Sequence, residues 1–146
     1  MQKLLLVFLM LGATLTFAQR NDKIKAYKTA YITEALELTA AEAEKFWPIY
    51  NAHEEKLHEL RIQERKDIFE ILKGDFNALS DAEANTLLDK AIIIKEKEFL
   101  ARKDLVQQLK AVLPAKKILK LKIAEEEFKR TLLDKMKNRR DQKPRN

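Results

Sequence analysis

His53 and His58 are the chain's two histidines, and the run His53-Glu54-Glu55-Lys56-Leu57-His58 is the one stretch that suggests a metal helix. A zinc-protease helix places its histidines four residues apart on one face. Here they are five apart, which at 3.6 residues per turn separates them by about 140°. Glu54 and His58 share a face, but two ligands do not complete a tetrahedral site, and the chain has no third His and no Cys. Carboxylates and histidines assembled in an oligomer leave a metal sensor as a third-ranked reading. Without Cys there is no disulfide framework and no thiol nucleophile. Gly-rich phosphate loops and nucleophile elbows are also absent from the sequence. Glu125, Glu126 and Glu127 sit beside Lys122, Lys129 and Arg130, the spacing of i, i+4 pairs on a solvated helix. The expectation is a non-enzymatic chain with no catalytic residue, no cofactor and no metal ligand.

The other residues suited to a site are Phe46, Trp47, Ile49 and Tyr50, gathered around Pro48. Inside a helix, Pro48 removes the hydrogen bond to the Glu44 carbonyl and clashes with it, so a kink is expected there. An indole and a phenol at such a bend offer large apolar area with polar handles, as interfaces favour. These four are the candidate partner-binding residues; the competing reading is a contact between the first two helices.

The elements that must position them are helices. Two Gly and three Pro among 146 residues leave too little turn chemistry for a sheet fold. Leu38-Thr39-Ala40-Ala41-Glu42 and Leu79-Ser80-Asp81-Ala82-Glu83 are capping boxes, in which Thr39 with Glu42, and Ser80 with Glu83, each satisfy two orphan backbone donors. Leu113-Pro114-Ala115 is a third helix start. Gly74 lies between the first two starts, where a left-handed glycine can end a helix.

Four helices follow: Asp22 to Glu37, Ala40 to about Lys73, Asp81 to about Val112, and Ala115 to about Arg140. The apolar stripe of the first is Ile24, Tyr27, Tyr31, Ala35 and Leu38. The second has a seam of Phe46, Tyr50, His53, Leu57, Leu60, Glu64, Ile68 and Ile71 at near-heptad spacing. In the third, one line carries Ala84, Leu88, Ala91, Lys95, Glu98, Arg102, Leu105, Leu109 and Val112, flanked by Leu87, Ile94 and Phe99. The fourth offers Ile118, Leu121, Phe128, Leu132 and Met136. The expected fold is all-α: an elongated arrangement of about four amphipathic helices, two of them long and antiparallel. An open or dimeric form is expected rather than a compact globule, because thin helical layers leave apolar stripes uncovered.

The first eighteen residues read as a secretory signal peptide, with Lys3, the apolar run from Leu4 to Leu11, and small residues before a cleavage point between Ala18 and Gln19. The apolar stretch falls short of the roughly 20 residues a spanning helix needs. That divides the chain into a signal segment 1–18, a helical domain 19–137 and a flexible basic tail 138–146. The chain's net charge of +6 would elsewhere suggest nucleic acid. For an exported periplasmic protein it is set instead against acidic protein surfaces or an anionic membrane surface, with the basic tail as the contact.

Tyr31-Ile32-Thr33-Glu34, Leu38-Thr39-Ala40-Ala41-Glu42 and above all Glu44-Lys45-Phe46-Trp47-Pro48-Ile49-Tyr50-Asn51, with Leu60-Arg61, Leu113-Pro114-Ala115-Lys116-Lys117 and Glu125-Glu126-Glu127-Phe128-Lys129-Arg130, resemble a family of small exported bacterial proteins labelled "sensor of ECF-type sigma factor". More distantly, Leu-Thr-x-x-Glu is similar to the Leu-Thr-x-x-Gln motif of the Spy and CpxP periplasmic stress proteins, with Glu42 and Glu83 in place of Gln and Ser80 in place of the second Thr. The resemblance implies curved all-helical dimers with sensor-inhibitor or chaperone roles. The expected function is a binding protein in envelope stress sensing or signalling; the alternative is a general chaperone for unfolded envelope proteins. Its expected partners are a protein or unfolded client of the envelope and a second copy of itself.

Overall fold

A computed structural model describes the chain over residues 22–141, with side chains as far as Asn138. The signal segment 1–18, the Ala18/Gln19 cleavage point and residues 142–146 lie outside the described residues. Among the described residues every regular element is helical and none is a strand, so the fold is all-α. The helices are α1 (22–35), α2 (Ala40–Glu64), a π-helical turn (Arg65–Phe69) leading into the short α3 (Glu70–Leu72), a 3-10 turn (Phe76–Ala78), α4 (Asp81–Leu109) and α5 (Ala115–Asp141). The backbone of 138–141 continues α5, so the start of the expected tail is helical.

Both capping boxes form. The Glu42 and Glu83 amides donate to the Thr39 and Ser80 hydroxyl oxygens at 3.2 and 3.3 Å. In return the Thr39 and Ser80 amides donate to the Glu42 and Glu83 carboxylates at 2.8 and 2.9 Å. The end of α1 is a Schellman motif: Leu38 N–H donates to Thr33 O and Glu37 N–H to Glu34 O. Its left-handed residue is Glu37, at φ 51°, a conformation glycine would adopt without strain. The expectation of a left-handed Gly74 is corrected, since no glycine has positive φ among the described residues. At Gly74 a Cβ would stand in tight contact, 3.2 Å from the Ile71 carbonyl oxygen.

The chain packs as two units. Among the described residues, one spans Thr39–Ile118 and the other joins 22–38 to 119–141. In the first unit α2 and α4 pack side by side. They run antiparallel, with Glu64 near the end of α2 bound to Lys95 in the middle of α4 at 3.0 Å. From α2 this layer takes Phe46, Tyr50, His53 and Leu60, and Ile68 beyond, all buried. Of the sequence-derived seam as far as Ile68, Leu57 and Glu64 are only half-buried. Ile71 departs from it, at 44% exposure. Ile68 lies within the π turn, in which Glu70 N–H donates to Arg65 O five residues back, and the extra residue shifts Ile71 off the seam. α2 itself continues unbroken through Pro48.

The packing stripe of α4 keeps Leu105 and Leu109 of the expected line but departs from it in the N-terminal half of the helix. Leu87, Ile94, Leu105 and Leu109 are buried, while Leu88 is 62% and Phe99 67% exposed. The expected line ran through Lys95, Glu98 and Arg102, whose charges resist desolvation. A rotation that buries Leu87 and Ile94 leaves Lys95 at the rim, where it binds Glu64 and Glu98, each at 3.0 Å.

In the second unit α1 and the body of α5 are antiparallel, tied by Lys120 to Glu37 at 2.8 Å, Tyr31 to Glu127 at 3.2 Å and Lys135 to Tyr27 at 2.9 Å. Tyr27, Tyr31 and Phe128 form an aromatic triangle with centroids 5.3 to 6.4 Å apart. Ile32, Leu36, Leu121, Ala124 and Phe128 are the buried residues here. The expected α1 stripe missed Ile32 and Leu36, and Met136 of the expected α5 stripe is 44% exposed.

Candidate partner-binding cleft

Within the Thr39–Ile118 unit, α2 and α4 leave a cleft of about 550 Å³ between them, in the size range of natural ligand pockets. Its α2 wall recurs at helical spacing through Ile49, Ala52, His53, Lys56, Leu60 and Gln63; its α4 wall through Lys97, Leu100, Ala101, Asp104, Leu105 and Gln108. The cleft exists because two small side chains, Ala52 and Ala101, occupy positions where large residues would close the gap. Leu60 and Leu105 are buried in its floor, and Leu100 is 51% exposed. Lys56 and Glu59 on one helix and Lys97 and Asp104 on the other give it a charged, balanced rim. Apolar floor and polar rim together suit an amphipathic polypeptide segment laid along the groove.

The four aromatic-run residues are placed differently from one another. Phe46 is 0% and Tyr50 1% exposed, so neither presents surface to a partner. Their rings stack at 5.3 Å, and Trp47 sits edge-on to both, at 5.0 and 5.6 Å. Trp47 and Ile49 are half-buried, and of the four only Ile49 lines the cleft. The partner-facing role expected of Phe46 and Tyr50 is corrected to packing, because both lie on the seam face of α2.

Neither a protein-family model, nor a curated protein, nor a solved structure matches the chain.

His53 is buried at the base of the cleft and His58 is exposed. Among the described residues no three His, Asp or Glu gather as a metal site would require. Glu42 caps α2 and also accepts from Lys117 at 2.7 Å. The Lys117 ammonium first, and the Thr39 amide second, hold its carboxyl below the ordinary carboxylate value. Glu83 is likewise lowered, through Ser80. Glu64 and Glu98 raise Lys95 above the ordinary amine value. Each of these shifts follows from a structural contact: two cap helices and one bridges α2 to α4.

The α4 wall of the cleft, from Lys97 to Gln108, was not legible as a site. The available signal was the pair of alanines, Ala52 and Ala101, each among larger neighbours.

Proposed function

We propose that the protein is a non-enzymatic binding protein of the bacterial periplasm, exported by its N-terminal segment and acting in envelope stress sensing or signalling, with the α2/α4 cleft as the site that takes a protein partner. The observation that carries this reading is the cleft itself, whose apolar floor between charged rims is the form that holds an amphipathic helix. The resemblance to exported sigma-factor sensors and, more distantly, to Spy and CpxP proteins supplies the envelope context.

A photo-crosslinking amino acid at Ala101, inside the cleft, should capture one dominant membrane protein in cells making the protein. The same group at Leu88, outside the cleft, should not. Ala101→Trp should abolish capture at Ala52 while leaving helix content intact. Equal capture from both positions, or none from the cleft, would overturn the assignment.

The chaperone alternative is favoured by a separate observation. Leu88, Ile92 and Phe99 are 62, 65 and 67% exposed, and a scattered apolar surface suits many weak clients better than one tight partner. A broad smear of crosslinked polypeptides from Leu88 and Ala101 alike would select it. The same apolar residues on α4 are where the proposed self-association would bury surface.

A further inference from the structure

The outward side of α5 carries cations and apolar residues interleaved along one face. Leu119, Ile123, Leu133 and Met136 are 72, 58, 49 and 44% exposed. At 3.6 residues per turn they share an arc of about 140° with Lys122, Lys129, Arg130 and Lys137, all four of them exposed. Among the described side chains the one acid within that arc is Glu126, bound to Lys122 at 3.1 Å. Leu121, Ala124 and Phe128 point to the opposite side and are buried, so α5 uses one face for packing and presents a second, independent one.

The geometry points to this face of α5 as a contact for an anionic lipid surface, on which the helix lies flat with Leu119, Ile123 and Leu133 at the headgroup boundary and Lys129, Arg130 and Lys137 against the phosphates. Charge complementarity supports the choice: residues 119–146 hold ten basic and five acidic side chains, whereas Thr39–Ile118 holds fourteen basic and fifteen acidic. A soluble polyanion or an acidic protein patch would match the cations yet give the interleaved leucines and isoleucine nothing apolar to enter. A bilayer interface supplies anionic headgroups and hydrocarbon in the same plane, which is why basic amphipathic helices lie there. Among the described residues no helix is long and apolar enough to cross a membrane, consistent with a helix that lies on a bilayer. The α2/α4 cleft takes no part, so this contact and the proposed partner site stand or fall separately.

Because the sequence has no cysteine, single-cysteine variants report cleanly. In the chain from Gln19 onward, which contains every described residue, Ile123→Cys and Leu133→Cys carry an environment-sensitive fluorophore, with Leu88→Cys on α4 as control. Phosphatidylcholine vesicles containing phosphatidylglycerol should shift the emission to the blue at 123 and 133 but not at 88, and pure phosphatidylcholine vesicles should shift none. Lys129→Glu with Arg130→Glu should lower vesicle affinity at least about tenfold. Ile123→Ser with Leu133→Ser, at exposed positions where far-UV dichroism should stay unchanged, should lower it severalfold. An absent shift at 123, an equal shift at 88, undiminished binding by the Ser variant, or the same shift produced by heparin without lipid would each overturn the lipid contact.

Discussion

The α2–α4 hairpin and the α1–α5 pair are both antiparallel helix pairs, but they are held together by different physics. The hairpin closes on a continuous apolar layer from Phe46 to Ile68, met by Leu87, Ile94, Leu105 and Leu109. Its net charge is close to zero, and its ends are fixed by two capping boxes. The α1–α5 pair has a shorter buried row, an aromatic triangle and three side-chain tethers, and residues 119–146 are strongly basic. Apolar layers specify which faces meet and are not weakened by the ionic screening that weakens exposed charge pairs. Tethers between exposed groups add register but little energy, since solvent-exposed ion pairs contribute at most about 1 kcal/mol.

The largest effects should come from the hairpin's apolar layer. Phe46→Ala should cost about 3–5 kcal/mol and Ile94→Ala about 2–5 kcal/mol, measured by urea unfolding. A loss below about 1 kcal/mol for Ile94→Ala would mean that α4 packs on a different face.

The caps come next. Thr39→Ala and Ser80→Ala should each cost about 1 kcal/mol, without changing capture of a partner at Ala101. If Thr39→Ala abolished capture with the unfolding curve unmoved, the box would be a binding motif after all.

A smaller effect, of opposite sign, is expected where α1 ends. Glu37→Gly relieves the left-handed strain at φ 51° and gives up an exposed pair with Lys120. The balance should be a gain of about 0.5–1 kcal/mol, read as a raised melting temperature. A loss would show that the Lys120 tether outweighs the backbone strain.

The smallest effects concern pH, and they separate the two units. The Glu42 and Glu83 carboxyls titrate below their ordinary value of 4.5. The stability they lend the hairpin is therefore present above pH 4.5 and is lost as pH falls through their lowered values. Glu42→Gln should flatten the acid limb of the stability curve, and more so than Glu83→Gln, because only Glu42 also binds Lys117. Tyr31 moves the other way. Partial burial and the Glu127 carboxylate raise it above 10.0, so its contribution to the α1–α5 pair is present below pH 10 and is lost as pH rises through the raised value. Tyr31→Phe should remove that alkaline dependence, and an unchanged alkaline limb would place its origin elsewhere, with Lys95 the first group to test.

The sequence by itself determined the helix starts, the all-α class and the packing seam of α2. Capping boxes close within four residues, so Thr39, Glu42, Ser80 and Glu83 carry the whole instruction locally. The α2 seam was legible because its apolar residues recur in a single line with little competition. On α4 two lines compete, one through Leu88 and one through Leu87 and Ile94, and the expected line followed the first although three charges cross it. Tertiary structure decided between them, through the cost of desolvating Lys95, Glu98 and Arg102 against a neighbour. Ile71, turned outward by the π turn, and the left-handed cap on Glu37 rather than Gly74 were not legible either, because neither residue type marks the turn it makes. Tertiary structure decided above all the cleft, which depends on Ala52 and Ala101 lining one gap although forty-nine residues separate them in the chain. Hydrogen bonds that close over one turn are written in the sequence, whereas the face a helix buries is set by what its neighbour can take out of water.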